Sequence, residues 1–444
     1  MIETFSNAFK IRELRNRIWF TFLMVLVFRL GCQIPTPGID AHKMKAMIEA
    51  AANSVLGFFN IFSGGALEKF SVFALGITPY INSSIIMQLL IYVIPDLERL
   101  AKEEGEEGRR KISQYTRYGT VVIGALQAFG ICVWLERLAD SRGPMNIVIE
   151  PGMAFKLMAV LTLTAGTAFI MWLGEQMTAM GIGNGVSILI TAGIVSRLPS
   201  ATGTVYHTFE LDKLNPLGFL KLIGLLVIVL GVIAAVVVVQ DGVRKIPVQH
   251  AKRVVGRRVY GGATTHIPLR VNQGGVIPVI FASSVMMFPT MILDYVVKMW
   301  DLTTKVDPLS STLKWMYEIF QPGRWAYMTS EFLLIIFFTY FYTAIQLNPK
   351  EISDNLKKYG GFIPGIRAGR KTAEFIDRIL NRVTLAGAIF LGLIALVPQL
   401  MWSLFRLNIY FGGTSLLIVV GVALDTVRQM ESHMVTRHYQ GFMR

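Results

Sequence analysis

Long apolar runs separated by short polar stretches dominate the chain. They fall at 18–34, 72–94, 118–135, 157–174, 183–195, 217–239, 276–297, 332–347, 383–400 and 407–427. A helix needs about 20 apolar residues to cross the hydrocarbon of a bilayer, so the pattern predicts ten transmembrane helices. A shorter apolar segment at about 58–68 is too brief to cross and predicts a half-helix re-entering from one side. The second run does not read as a lipid-facing anchor. Asn82, Ser83, Ser84 and Gln88 put side-chain polarity where hydrocarbon penalises it, which turns this helix towards protein or water. Pro79 within the run gives up a backbone hydrogen bond that neighbouring helices must help to re-satisfy.

The pattern also repeats. Gly76-Ile77-Thr78-Pro79-Tyr80-Ile81 is echoed by Gly275-Val276-Ile277-Pro278-Val279-Ile280, and the pairs Ser83-Ser84 and Ser283-Ser284 follow, one residue out of step. Gly185-Val186-Ser187-Ile188-Leu189-Ile190 is echoed by Gly413-Thr414-Ser415-Leu416-Leu417-Ile418. These matches fall in the second and fifth helices of two five-helix halves, 1–205 and 206–444. The fifth run is short and follows Gly181-Ile-Gly-Asn-Gly, and the tenth contains Gly412-Gly413; matched, glycine-weakened segments point to the functional centre.

Charge orients the helices. The N-terminal tail carries Lys10, Arg12, Arg15 and Arg17, and the loop after the second span carries Arg99, Lys102, Arg109, Arg110 and Lys111. The large loops at 241–272 and 348–378 include Arg253, Arg257, Arg258, Lys357, Lys358 and Arg367. Intervening loops are poorer in Lys and Arg, so the basic ones, and both termini, are predicted to be cytoplasmic. Five spans per half is an odd number, so halves of one fold must be inverted relative to each other. The first apolar run is a full-length span without a small-residue cleavage site, so no cleavable leader is expected.

Composition agrees: 53% hydrophobic and 16% charged residues over 444 are too apolar for a soluble globule. The net charge of +14 is accounted for by the cytoplasmic loops, which remain free to meet an anionic partner. Cys32 and Cys132 lie towards the same end of their helices; a disulfide stays open beside the commoner role of small core residues.

Motifs for chemistry fail. Gly365-Ile-Arg-Ala-Gly-Arg-Lys-Thr has the wrong glycine spacing for a phosphate loop, and Gly181-Ile-Gly-Asn-Gly has no preceding strand, so it reads as a turn and helix cap. His42, His207, His250, His266, His433 and His438 show no ligand spacing, and no metal or cofactor is expected. Arg29 sits near the outer end of the first span and suits a structural role. Glu175, Asp294 and Asp425 fall at span ends, leaving the midplane uncharged. It offers aliphatics instead: Ile77 and Ile81, then Val186 and Ile190, each pair four apart and so on one helix face, with Ile280 and Ile418 as counterparts in the repeat. On periodicity alone, ordinary helix packing is the better explanation of such pairs. A secondary transporter would place charged or coordinating groups at the midplane, and an intramembrane enzyme would place a nucleophile and base there; neither set is found.

Several longer strings are more specific. Phe59-Asn60-Ile61-Phe62-Ser63-Gly64-Gly65-Ala66-Leu67, Gly105-Glu-Glu-Gly-Arg-Arg-Lys-Ile-Ser-Gln-Tyr-Thr-Arg-Tyr-Gly, Ile246-Pro-Val-Gln-His-Ala-Lys-Arg, Asn348-Pro-Lys-Glu-Ile-Ser-Asp-Asn-Leu-Lys-Lys-Tyr-Gly-Gly-Phe-Ile-Pro-Gly-Ile-Arg and Tyr410-Phe-Gly-Gly-Thr-Ser-Leu-Leu-Ile-Val-Val resemble the SecY family, the channel subunits of the bacterial general protein translocase. The resemblance covers nearly the whole chain. It implies an all-α polytopic membrane protein whose ten helices form a clamshell channel of two inverted repeats with a re-entrant plug helix. Its constriction is implied at Ile77, Ile81, Val186, Ile190, Ile280 and Ile418, with Val186 departing from an all-isoleucine ring. The plug is implied at Asn60, Ile61, Phe62, Ser63, Gly64, Gly65, Ala66 and Leu67, and a lateral gate towards lipid at Ser84, Gln88, Ser283 and Ser284. Docking of the ATPase SecA or of a ribosome, through its RNA as the one nucleic acid involved, is implied at Arg253, Arg257, Arg258, Lys357, Lys358 and above all Arg367. The small subunits SecE and SecG, preproteins bearing signal sequences, and the plasma membrane of a bacterium complete the implied setting.

Overall fold

The computed structural model describes residues 9, 11–50, 60, 63–141, 147–209, 216–250, 253–255, 258–260, 264–299, 308–321, 324–397 and 413–442. In chain order the helices are α1 (Arg12–Gly31), α2 (Ala41–Ala50), α3 (Thr78–Val93), α4 (Pro95–Lys102), α5 (Gly105–Ser141), α6 (Met153–Met180), α7 (Gly185–Val195), α8 (Leu198–Thr208) and α9 (Pro216–Asp241). Four strands follow, β1 (Val243–His250), β2 (Arg253–Val255), β3 (Arg258–Tyr260) and β4 (Thr264–Arg270). Then come α10 (Ile277–Met299), α11 (Pro308–Ile319), α12 (Trp325–Gln346), α13 (Pro349–Lys358), β5 (Gly361–Phe362), α14 (Arg370–Ala395) and α15 (Gly413–Phe442).

Each expected apolar run coincides with a helix over most of its described length. Six described helical segments are long and apolar enough to cross a membrane: Gly105–Glu136, Met153–Met180, Gly185–Tyr206, Gly218–Asp241, Trp325–Lys358 and Arg370–Ala395. Thr78–Val93 and Pro95–Lys102, bent by 102°, make a seventh if taken as one span. The protein is therefore a multi-pass helical membrane protein.

The second span starts later than its apolar run. Residues 72–77 are turns, and the helix begins at Thr78 with Pro79 in its first turn. A first-turn N–H has no intrahelical acceptor in any case, so Pro79 costs no hydrogen bond there, contrary to the expectation of an interior break. The repeat motif is visible in the backbone. Gly76 (φ 57°) and Gly275 (φ 59°) both adopt the left-handed conformation just ahead of α3 and α10, and Pro278 sits in the first turn of α10 as Pro79 does in α3. Only glycine takes that conformation without a steric penalty, which is why the two echoes share it.

The chain is not purely α-helical. β1 pairs antiparallel with β4 from Val243↔Arg270 to Gln249↔Thr264, and β5 adds to β1 through Gln249↔Phe362 and His250↔Gly361. The two large basic loops are thereby joined in one sheet, over a small core of Ile246, Val248, Leu269, Ile363, Ile376 and Leu380. The alternation that builds β1, with Ile246 and Val248 inward, is embedded among Arg244, Lys245 and Gln249 and reads as a charged loop.

In the bundle, α5 packs on α3 and α6, and α6 on α7; α12 packs on α10 and α14, and α9 on α15. Contacts of α3 with α10 and of α7 with α15 join these groups. The largest apolar cluster lies where those four helices meet.

Candidate functional site

Ile77 ends the turn before α3, Ile81 follows one helical turn on, Val186 and Ile190 are one turn apart on α7, and Ile280 and Ile418 come from α10 and α15. The structure gathers all six. Ile77, Ile81, Ile190, Ile280 and Ile418 are between 1% and 5% exposed in a single apolar cluster, and Val186, half-buried, packs against it. α7 is held at this place by Asn184, whose side-chain Oδ1 accepts from the N–H of Val186 at 3.1 Å and of Ser187 at 3.3 Å. The cap expected from Gly181-Ile-Gly-Asn-Gly is thus present, and it satisfies donors that a short helix would leave open.

Four of the six, Ile81, Val186, Ile190 and Ile280, line a cavity of about 630 Å³ together with Tyr80, Ser84, Gln88, Arg117, Glu175 and Tyr342. A group of branched aliphatics offers no hydrogen bond to a polar chain and holds water poorly.

Of the expected plug, Ile61 and Phe62 lie outside the described residues. Of the described part, Asn60 is helical and 63–70 is a run of turns. Asn60, Ser63, Gly64, Ala66 and Leu67 are buried and Gly65 is half-buried. The turns close on themselves: Gly65 N–H donates to Asn60 O at 2.8 Å, Glu68 N–H to Asn60 Oδ1 at 3.0 Å, and Ser71 N–H to Ala66 O at 2.8 Å. Ala66 belongs to the same apolar cluster as the ring. Two arginines clamp the segment. Arg29 Nη1 of α1 donates to Gly64 O at 2.8 Å, and Arg197 Nη2, between α7 and α8, lies 3.0 Å from Glu68 Oε2. Gly64 (φ 67°) approaches α7 so closely that a Cβ there would lie 2.8 Å from the Cα of Gly193. The structural role expected for Arg29 is present, directed inward at this turn rather than outward to water. The Glu68–Arg197 pair was not legible, since 129 positions separate its members.

Ser84 and Gln88 line the cavity, with Gln88 Nε2 donating to Ser84 Oγ at 3.4 Å, whereas Ser283 and Ser284 are buried on α10. Ser83 is committed elsewhere, donating to Thr116 O of α5 at 2.7 Å. On this side Tyr92 of α3 meets Phe341 of α12 edge to face, ring centres 5.8 Å apart. Glu331, 3% exposed on α12, is a buried carboxyl that sequence reading passed over because the expected span began one residue later.

Of the basic docking residues, Arg253 and Arg258 lie on β2 and β3, paired through Val255↔Arg258, and Arg257 is outside the described residues. Lys357 and Lys358 are exposed in the last turn of α13, where positive charge suits the helix dipole. Arg367 is exposed in a turn between Gly365 (φ 77°) and Gly369 (φ 97°); its carbonyl accepts from Thr372 Oγ1 at 3.0 Å, and Ser353 Oγ donates to Gly369 O at 2.7 Å. Among the described residues no His, Cys, Asp or Glu cluster could hold a metal. Cys32 and Cys132 are buried and unpaired, in separate apolar clusters.

These features define a polytopic helical membrane protein in which a buried apolar cluster borders a cavity of mixed polar and apolar lining. Its fold is that of solved translocation channels. One, described as a protein-conducting channel, matches with a TM-score of 0.62 at 16% identity, over 95% of this chain and 93% of the other. Another, described as showing that the plug domain of SecY stabilises the closed translocation channel and maintains a membrane seal, matches at 0.59 and 16%, with the same coverage. The family model SecY matches residues 71–427. The protein translocase subunit SecY of Thermotoga maritima is 45% identical over 452 aligned positions, covering 100% of this chain and 98% of the relative. The chain belongs to the SecY family.

Proposed function

We propose that the chain is the protein-conducting channel of a bacterial plasma membrane, passing unfolded preproteins across and releasing apolar segments sideways into lipid. The observation that carries the reading is that Ile77, Ile81, Val186, Ile190, Ile280 and Ile418 belong to one apolar cluster, part of which lines the cavity. The ring seals without binding, and the turn at 63–70, clamped by Arg29 and Arg197, is the plug of the resting state. Residues 1–205 and 206–444 form two inverted halves of five spans each, a reading supported by the matched left-handed glycines before α3 and α10. The lateral gate runs along α3 on one side and α10 and α12 on the other, with Ser84, Gln88, Ser283 and Ser284 beside it. An apolar segment arriving there leaves for lipid, while polar chain continues through the ring.

The chain itself supplies no energy. The basic sheet and the Arg367 turn receive SecA or a ribosome on the cytoplasmic side, where both termini also lie, and SecE and SecG accompany the channel. The test is a preprotein stalled in transit with photoreactive groups in its mature part. Labelling of the segments around Ile81, Ile190, Ile280 and Ile418 is expected; labelling confined to the lipid-facing surface of α9 would exclude passage through the ring.

A further inference from the structure

The cavity beside the ring has a lining of two kinds. On the side of α10 and α12 it is lined by Ile277, Ile280, Phe281 and Tyr342. α5 and α6 contribute Arg117 and Glu175, the charged groups among its lining residues. Arg117 Nε donates to Glu175 Oε1 at 2.9 Å while Arg117 Nη2 lies 2.9 Å from Glu175 Oε2, a two-pronged pair. Its side chains are 48% and 23% exposed, so it is a wet ion pair that adds little to the hold of α5 on α6. A wet carboxylate also exchanges one cationic partner for another at small cost. Two groups of opposite sign that share a cavity with an apolar lining fit a ligand that is itself part cationic and part apolar.

We propose that Glu175 reads the positive charge that precedes the apolar stretch of a signal segment. The stretch lies along Ile277, Ile280 and Phe281, and a lysine or arginine ahead of it takes the place of Arg117 on the Glu175 carboxylate. Arg117 stays in the cavity wall and opposes a second cation, so the first one matters most. The inference rests on the channel reading and names the part of the substrate that this wall recognises.

The test uses vesicles holding the complete translocase, with the parent chain, Glu175→Gln, or the exchanged pair Arg117→Glu with Glu175→Arg. Preproteins identical except for one lysine, glutamine or glutamate before the apolar stretch are compared, and the readout is the initial export rate of each charged form relative to the glutamine form. The parent is expected to favour lysine by about two- to fivefold, the scale of one solvent-exposed ion pair. Glu175→Gln is expected to bring the ratio close to one. The exchanged pair keeps the contact between α5 and α6 and is expected to lose the preference for lysine and gain one for an acidic residue at that position. A purely structural role would slow all the preproteins alike and leave the ratio at the parent value, which overturns the proposal; so does an exchanged pair that still prefers lysine. If parent vesicles export none of the preproteins, the channel reading itself fails, an outcome distinct from a parent that exports them with a ratio indifferent to Glu175.

Discussion

Replacing Gly64 by alanine tests the clamp on the proposed plug, and the structure sets the size of the effect. At φ 67° a non-glycine residue carries about 1 kcal/mol of backbone cost. The added Cβ would stand 2.8 Å from the Cα of Gly193, a backbone atom that no rotamer change can move aside. Relief requires the turn to withdraw from α7, and overpacking of this kind costs about 1–3 kcal/mol. Withdrawal also stretches the bond from Arg29 to Gly64 O and the Glu68–Arg197 pair, so those contacts do not compensate. The sum, about 2–4 kcal/mol, shifts the balance from seated to unseated plug by about 30- to 1000-fold. The assay is ion conductance across bilayers holding the variant without motor or substrate, with thermal unfolding followed in parallel. Gly105→Ala is the control, because Gly105 (φ 56°) carries the same backbone cost with no atom within 4 Å of the added Cβ, and no rise in conductance is expected from it. Gly64→Ala conductance equal to the parent's, in protein that unfolds no earlier than the control, would refute the idea that this turn seals the pore.

Ile81→Asn and Ile418→Asn each put an amide into the ring, lower the dewetting barrier, and are expected to raise ion leakage and admit preproteins with defective signals; unchanged leakage in both removes the ring assignment. Asn184→Ala deletes the cap of α7 and is expected to cost about 1 kcal/mol of stability, read as an earlier melting transition in detergent. Arg367→Glu lies on an exposed turn where folding changes by no more than about 0.5 kcal/mol, yet it is expected to depress SecA ATPase stimulated by preprotein and to do so most at low salt. Normal stimulation in that variant would separate Arg367 from coupling.

Local sequence carried those parts of the molecule that depend on local chemistry. The echo of Gly76 and Gly275 was visible because a left-handed turn demands glycine, and the aliphatic pairs were visible because a spacing of four marks one helix face. What stayed hidden depends on long-range contact. Glu68 and Arg197 belong to different loops, and Arg117 and Glu175 to different helices, so no spacing announces either pair. The strands β1 and β4 were masked for another reason: their inward residues are few, and the outward lysines and arginines dominated the reading of the loop. Pro79 was misread because an apolar run extends beyond its helix when buried turns precede it.

The pairing of β5 with β1 has a mechanical consequence. Through it, and through the small core beneath, the segment carrying Arg367 shares one stiff plate with the strands that follow α9 and precede α10. A load applied at the Arg367 turn is therefore not spent in bending a loop. Under the proposed docking it would arrive as a torque distributed over the ends of α9, α10, α13 and α14, so a partner seated on the plate would not need to touch α3 or α10 directly to separate them.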